Sequence, residues 1–328
     1  MKATAAIVQG ALALAGLGAA YATWQRPPAQ GPGDVSVVSV SRHDLKQVRF
    51  ESPDRTVVLH RGELNGDSVV WVDEDEHPQA KPAPAGHPPA PPAAWHRVLV
   101  GNEQAEKVLD QLASLKATRA LGKVDGAKLK ELGLDAPKLH LEVDAEGEKI
   151  ALALSTEPAG VEQPYLRRER DGEVFLLSGM LVANLNSAMR LVDRRLHAFP
   201  PDAFDRVTVK ADGKTRDFSA QVTPGGAFLP ELSVAGEAKP DARAKSWHDQ
   251  LWRSRATELL GKGEAPPGEP LAPLLRVDYT RRGHPVGFVE VAKSGAGFYA
   301  RSEHTAGWAK LSGPVDDLVR QTDQLVEK

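Results

Sequence analysis

A chain of 328 residues has room for two domains of ordinary size, and 41% apolar with 26% charged residues describes a core-forming chain rather than a disordered one. The formal net charge is −3, and no basic stripe with interleaved aromatics is present, which disfavours a nucleic-acid partner. The absence of cysteine removes disulfides, cysteine-ligated zinc, thiol nucleophiles and a lipidated N-terminal cysteine, and it suits an oxidising compartment.

Ala3 to Trp24 carries no charge. At about 1.5 Å per residue this stretch reaches roughly 33 Å as a helix, enough to cross a bilayer's hydrocarbon layer. Lys2 precedes it, and Tyr21 and Trp24 suit the far interface. Residues 1–25 therefore read as one transmembrane helix with a cytoplasmic N-terminus. The alternative is a cleaved signal, because Ala20-Tyr21-Ala22 has the small-x-small form of a peptidase site. On either reading the bulk of the chain lies outside the membrane. Residues 26–34, rich in Pro and Gly, read as a short stalk.

Residues 35–198 form a first strand-rich module. Val48, Phe50, Val57 and Leu59 alternate as the inward face of paired strands around a Ser52-Pro53-Asp54 turn, and Asn65-Gly66 marks a second hairpin. The acidic run Asp73–His77 has no EF-hand spacing and reads as a solvated end rather than a cation site. The Pro-rich segment 77–93 cannot build a ladder or a core, so it is expected to be an exposed insert. Ala105, Val108, Leu109, Leu112 and Leu115 then predict a helix over Glu103–Lys116 with Asn102 as its N-cap. A short helix is expected over Asp125–Leu132, a hairpin around Glu146-Gly147, strands near Pro164–Arg168 and Glu173–Leu177, and a helix after Ser178 carrying Leu181, Val182, Leu185 and Met189.

Residues 199–328 read as a second copy of that module. Asp110–Lys123 returns at Asp249–Lys262 with Asp, Gln, Leu, Ala, Thr, Leu, Gly and Lys in register at an offset of 139 (249 − 110). Lys46–Phe50 pairs with Asp205–Val209, Leu139–Gly147 with Leu275–Gly283, and Leu177-Ser178-Gly179 with Leu311-Ser312-Gly313. Four pairings in one order argue for an internal repeat. The recurring stretch itself is expected to be a core-facing helix closed by a glycine cap.

Chemical motifs are not evident. Asp212-Gly213-Lys214-Thr215 resembles the tail of a phosphate loop, but Thr208 stands where the first glycine belongs and a hairpin is expected instead. No Gly-x-Ser-x-Gly or His-Glu-x-x-His occurs. His60, His96, His140, His197, His248, His284 and His304 are scattered, with His248-Asp249 placed at a helix start and Trp247, Leu251 and Trp252 as a packing stripe. Asp193-Arg194-Arg195 has two readings, an anion site and a structural ion pair at the junction of the modules, and the ion pair is the expected one. The sequence offers no catalytic, cofactor-binding or metal-ligating residues, and no cofactor.

Gly133-Leu134-Asp135-Ala136-Pro137, Val192–Phe199 and Asp44-Leu45-Lys46-Gln47-Val48 together resemble the bacterial family known as domain of unknown function 4340. The resemblance runs from about Val35 to the end, and the Pro-rich insert departs from the family pattern. It implies a membrane-anchored envelope protein associated with an ABC-type transporter permease and a gliding-motility-type auxiliary subunit, and it brings no catalytic residues.

The expectation is therefore an α+β chain with two tandem strand-rich modules bearing amphipathic helices, preceded by one transmembrane helix. Its expected role is a non-enzymatic accessory or scaffold subunit at a bacterial inner membrane, single-pass and largely periplasmic. The alternative is a periplasmic glycan-binding module that uses the cleft between the two repeats.

Overall fold

The computed structural model describes residues 35–77, 95–155, 163–222 and 229–327. The expected span 1–25, the stalk 26–34 and all of the Pro-rich insert except His77 lie outside the described residues. No helix among the described residues is long and apolar enough to cross a membrane.

The first half begins with β1 (Val35–Ser36), β2 (Leu45–Glu51), β3 (Arg55–Leu64), β4 (Asp67–Glu76) and β5 (Trp95–Val100). Next come helix α1 (Glu103–Ala113), β6 (Lys116–Ala117), β7 (Arg119–Lys123), the short helix α2 (Gly126–Glu131), β8 (Leu139–Ala145) and β9 (Glu148–Leu154). β10 (Tyr165–Arg168), β11 (Glu173–Leu176) and helix α3 (Gly179–Leu185) complete it. The second half contains β12 (Arg206–Ala211), β13 (Lys214–Gln221), β14 (Glu231–Val234), helix α4 (Ala242–Trp252) and β15 (Ala256–Leu259). It ends with β16 (Ala272–Arg281), β17 (His284–Ser294), β18 (Gly297–Ser302), β19 (Ala309–Leu311) and helix α5 (Val315–Val326).

These strands form two large antiparallel sheets and a small β1–β6 pair. One sheet runs β5-β4-β3-β2-β8-β9-β10-β11-β7, the other β14-β13-β12-β16-β17-β18-β19-β15. With β5 set aside, the two orders agree strand for strand. The registers agree as well: Val48 faces Val143 across β2–β8, and Val207 faces Tyr279 across β12–β16. Helices α1 and α4 share their bounds at the same offset of 139 (242 − 103 and 252 − 113), and their caps follow suit. Asn102 accepts from the amides of Gln104 and Ala105, and Asp241 from those of Arg243 and Ala244, which satisfies the free N–H groups of each first turn.

Turn chemistry sets the hairpins. Asn65 and Gly66 join β3 to β4 at φ 54° and 93°, and Asp212 and Gly213 join β12 to β13 at 47° and 70°; both turns need positive φ at two positions. Each sheet then buries one face under helices. Helix α1 lies over β2, β3 and β4, while α5 lies over β12, β13 and β16 and packs against α4. Val48, Phe50, Val57 and Leu59 are fully buried in the first half, and Val207, Val209, Phe218 and Val277 in the second.

Three expectations need correction. The repeated stretch Asp110–Lys123 is not one helix with a glycine cap. Helix α1 ends at Ala113, where both the amide and hydroxyl of Ser114 bond to Asp110 O, and β6 and β7 follow. Leu112 and Leu115 are buried as the helix spacing implied, but Leu115, like the buried Ala117 of β6, lies in the chain after the helix. Gly122, at φ 74°, lies within β7 opposite Val174, where the pairing with β11 is irregular. Similarly, α3 stops at Leu185, and Met189 sits in a separate 3-10 turn (Ala188–Arg190).

The acidic run is not a solvated end either. β4 continues to Glu76 and places Glu74 in line with Val70 and Val72 on the buried face. Arg55 on β3 bonds Glu74 at 3.1 Å, His60 lies 3.6 Å from Asp73, and His96 on β5 meets Asp75 at 2.7 Å. Burial pushes the Asp73 and Glu74 carboxyls above their ordinary range despite these neighbours.

Candidate functional site

Between the two sheets the chain runs through Arg190–Pro201, and its first residues are tied to the first half. Asn102, having capped α1 with its Oδ1, donates from Nδ2 to Arg190 O at 2.9 Å and Val192 O at 3.2 Å. The Asp193 amide donates to Val100 O at the end of β5 at 2.8 Å.

From Asp193 onward the bonds go to the second half. The Asp193 carboxylate is buried and accepts from Arg195 Nη2 at 2.6 Å, from the Arg195 amide at 2.9 Å, and bonds His304 Nε2 at 2.9 Å. Burial alone would raise its pKa. The hydrogen bonds from His304 and Arg195 outweigh that and hold it well below the usual carboxylate range. Ser302 donates its hydroxyl to Leu196 O. His197 Nδ1 lies 3.1 Å from Glu303 Oε1, and Glu303 Oε2 also accepts from the Phe288 amide at 3.0 Å. The carbonyl of Glu303 accepts from Asn65 Nδ2 at 2.7 Å, which links the β3–β4 turn to the β18–β19 turn.

Behind these polar contacts lies a cluster of rings. His197 stacks on Trp252 with centroids 4.8 Å apart and planes 21° from parallel. Phe199, Phe204, His248 and Tyr279 complete the group; for instance, Phe204 and Tyr279 lie 4.8 Å apart and Phe204 and His248 5.8 Å apart. Among the described residues, Tyr279 OH and both ring nitrogens of His248 have no hydrogen-bond partner. Burial pushes the Tyr279 phenol up and the His248 imidazole down to about 4.

The consequence for His248 has a definite sign. Folding holds this ring neutral, whereas in the unfolded chain it protonates near its ordinary value of about 6.5. As pH falls from about 6.5 towards about 4 the unfolded state alone gains a proton, so stability is lost across that window, at most about 3 kcal/mol. Denaturant unfolding at pH 7 and pH 4.5 should show this drop, and His248→Leu should reduce it. Asp73 and Glu74 act in the opposite direction, so the difference between wild type and variant is the readout. Equal drops in both proteins would contradict the assignment.

The outer side of the junction is a cleft of about 760 Å³. Arg194 and Arg195 line it from the junction segment, and Arg253 and Arg255 from the turn between α4 and β15. His197 and Trp252 also line it.

The sequence placed the Asp193–Arg195 ion pair correctly, but it treated His197, His248 and His304 as scattered. The structure brings all three to the junction. His248 lies in the second half of α4, not at its start, and the N-cap there is Asp241. Asp249 instead pairs with Lys245 one turn earlier, at 2.9 Å. The one local signal was the density of charged and aromatic residues over Val192–Phe199. Among the described residues no group of three His, Asp or Glu side chains is placed to hold a metal ion.

In comparisons with known proteins, the family model described as domain of unknown function DUF4340 matches residues 93–260, a span that contains every residue lining the junction cleft. No curated protein and no solved structure matches the chain.

Proposed function

The chain belongs to the DUF4340 family, and from that premise we propose that it is a non-enzymatic accessory or scaffold subunit of an envelope complex. In this reading residues 1–25 hold it at a bacterial inner membrane, and two copies of one strand-rich module, 35–198 and 199–328, stand on the periplasmic side. Its partners are an ABC-type transporter permease and a gliding-type auxiliary subunit.

The observation that carries the reading is how the junction uses its titratable groups. Asp193, His197, Glu303 and His304 are all spent holding the two halves to each other. A part whose polar centre fixes the mutual position of two sheets suits the presentation of surfaces to partners. The matching strand orders support duplication of the module, which doubles the surface available.

Affinity capture of the full chain from gently solubilised membranes tests this. Recovery of a permease or its auxiliary subunit is expected. Recovery of the protein alone under several detergents would sink the proposal, as would hydrolysis of a glycan or ester panel by the purified chain that is lost on changing one polar residue.

A further inference from the structure

We propose that the junction cleft binds a multiply charged oxyanion of the phosphate class. The claim goes beyond the scaffold reading and does not depend on it, since the cleft could serve with or without a protein partner.

Four arginines line one concavity, supplied by two separate segments. Arg194 and Arg195 come from the junction, and Arg253 and Arg255 from the α4–β15 turn. All four are exposed. Only Arg195 has a carboxylate partner, Asp193; among the described residues no carboxylate lies within ion-pair distance of the other three. Among the described residues no Asp or Glu lines the cleft. Asp193 is buried behind it and already bonded to Arg195 and His304.

Cations at a helix C-terminus are also favoured by the helix dipole, which accounts for Arg253 at the C-cap of α4. That explanation does not reach Arg194, which belongs to another segment. Uncompensated like charges around a cavity repel one another, and an anion between them relieves the repulsion. The planar fork of N–H donors on each guanidinium matches the paired oxygens of a phosphate group. Trp252, half-buried and backed by the buried His197 ring, gives the site an aromatic surface on which an attached ring can rest. A cleft of about 760 Å³ has room for a phosphate group and what carries it.

The phosphate could be free or the headgroup of a lipid, and one experiment separates these sources. The full chain in detergent micelles is titrated with inorganic pyrophosphate by calorimetry, beside a neutral oligosaccharide. Saturable pyrophosphate binding is expected, weakened at least tenfold in R253Q/R255Q and also in R194Q from the opposite wall. The pair R243Q/R282Q removes two arginines elsewhere and should leave binding unchanged. Melting temperatures of the variants without ligand establish that they are folded, and if R253Q/R255Q melts early then R194Q alone decides. Displacement of bound pyrophosphate by phosphatidylglycerol but not by phosphatidylcholine added to the micelles would support the site and assign a headgroup. Pyrophosphate binding that neither lipid displaces would support it and assign a free ligand. Absence of saturable pyrophosphate binding, equal losses in R243Q/R282Q, or binding of the neutral saccharide alone would overturn the proposal.

Discussion

Trp247→Ala is expected to lower the stability of the second half by about 4 kcal/mol, the largest effect of any single change considered. The indole is fully buried between α4 and α5. Its Nε1 donates to Thr322 Oγ1 at 2.8 Å, and the Thr322 hydroxyl donates in turn to Leu318 O at 2.8 Å, so that the chain of bonds ends on the backbone of α5. Truncation removes a large apolar surface, leaves a cavity that two sheet-bound helices cannot collapse, and strands a buried hydroxyl acceptor. Thr322→Val keeps the packing and removes the hydroxyl that accepts from Trp247 and donates to Leu318 O, so it should cost about 1 kcal/mol. Chemical denaturation followed by circular dichroism measures both. A loss under 1 kcal/mol for Trp247→Ala would mean that the α4–α5 contact does not support the second sheet.

Asp193→Ala is expected to cost about 3 kcal/mol. The carboxylate is 5% exposed and joins Arg195 to His304, while its own amide is held by Val100 of the first sheet. Removing it leaves the largely buried His304 nitrogen without its acceptor, while the exposed Arg195 fork turns to solvent. Burial limits screening, so the loss should persist at high salt. The sign with pH is also fixed. The folded-state pKa is depressed, so the stabilisation is complete above the unfolded value of about 3.9 and is lost as pH falls through the folded one. Asp193→Asn keeps the shape and one acceptor oxygen and should lose less than alanine. If alanine and asparagine both leave stability unchanged at neutral pH, the junction is not held by this group.

Much of the fold was legible because its signals are local. Asn65-Gly66 and Asp212-Gly213 need positive φ, and both turn as expected. Asn102 caps α1, and the alternation at Val48, Phe50, Val57 and Leu59 is the buried face of the β2–β3 pair. The repeat was visible in residues of the α1 and α4 regions, yet its meaning changed with the structure. Only Asp110–Ala113 of Asp110–Lys123 is helix and most of the rest is strand, because apolar positions three or four apart can also be buried by a chain that leaves the helix and returns along a sheet. The acidic run misled for a related reason. Nothing local in Asp73–His77 shows that Arg55, His60 and His96 will arrive from the neighbouring strands.

The junction was the least legible part. His197 and Glu303 lie 106 positions apart, as do Ser302 and Leu196. Their meeting depends on where the β18–β19 turn lands against a segment with no regular structure. The same holds for the arginine cleft, whose two walls come from 194–195 and 253–255. Only the packing of α4 against the second sheet places them together.

The central claim is that this family member works as a partner-presenting subunit rather than as a catalyst. Site-specific photo-crosslinking of the full chain in intact cells tests it most directly, with the reactive side chain placed on the exposed face of either sheet and the adducts identified by mass spectrometry. Position-dependent adducts to a permease or its auxiliary subunit are the expected result. Adducts absent from every exposed position, in cells that also produce the transporter, would contradict the account.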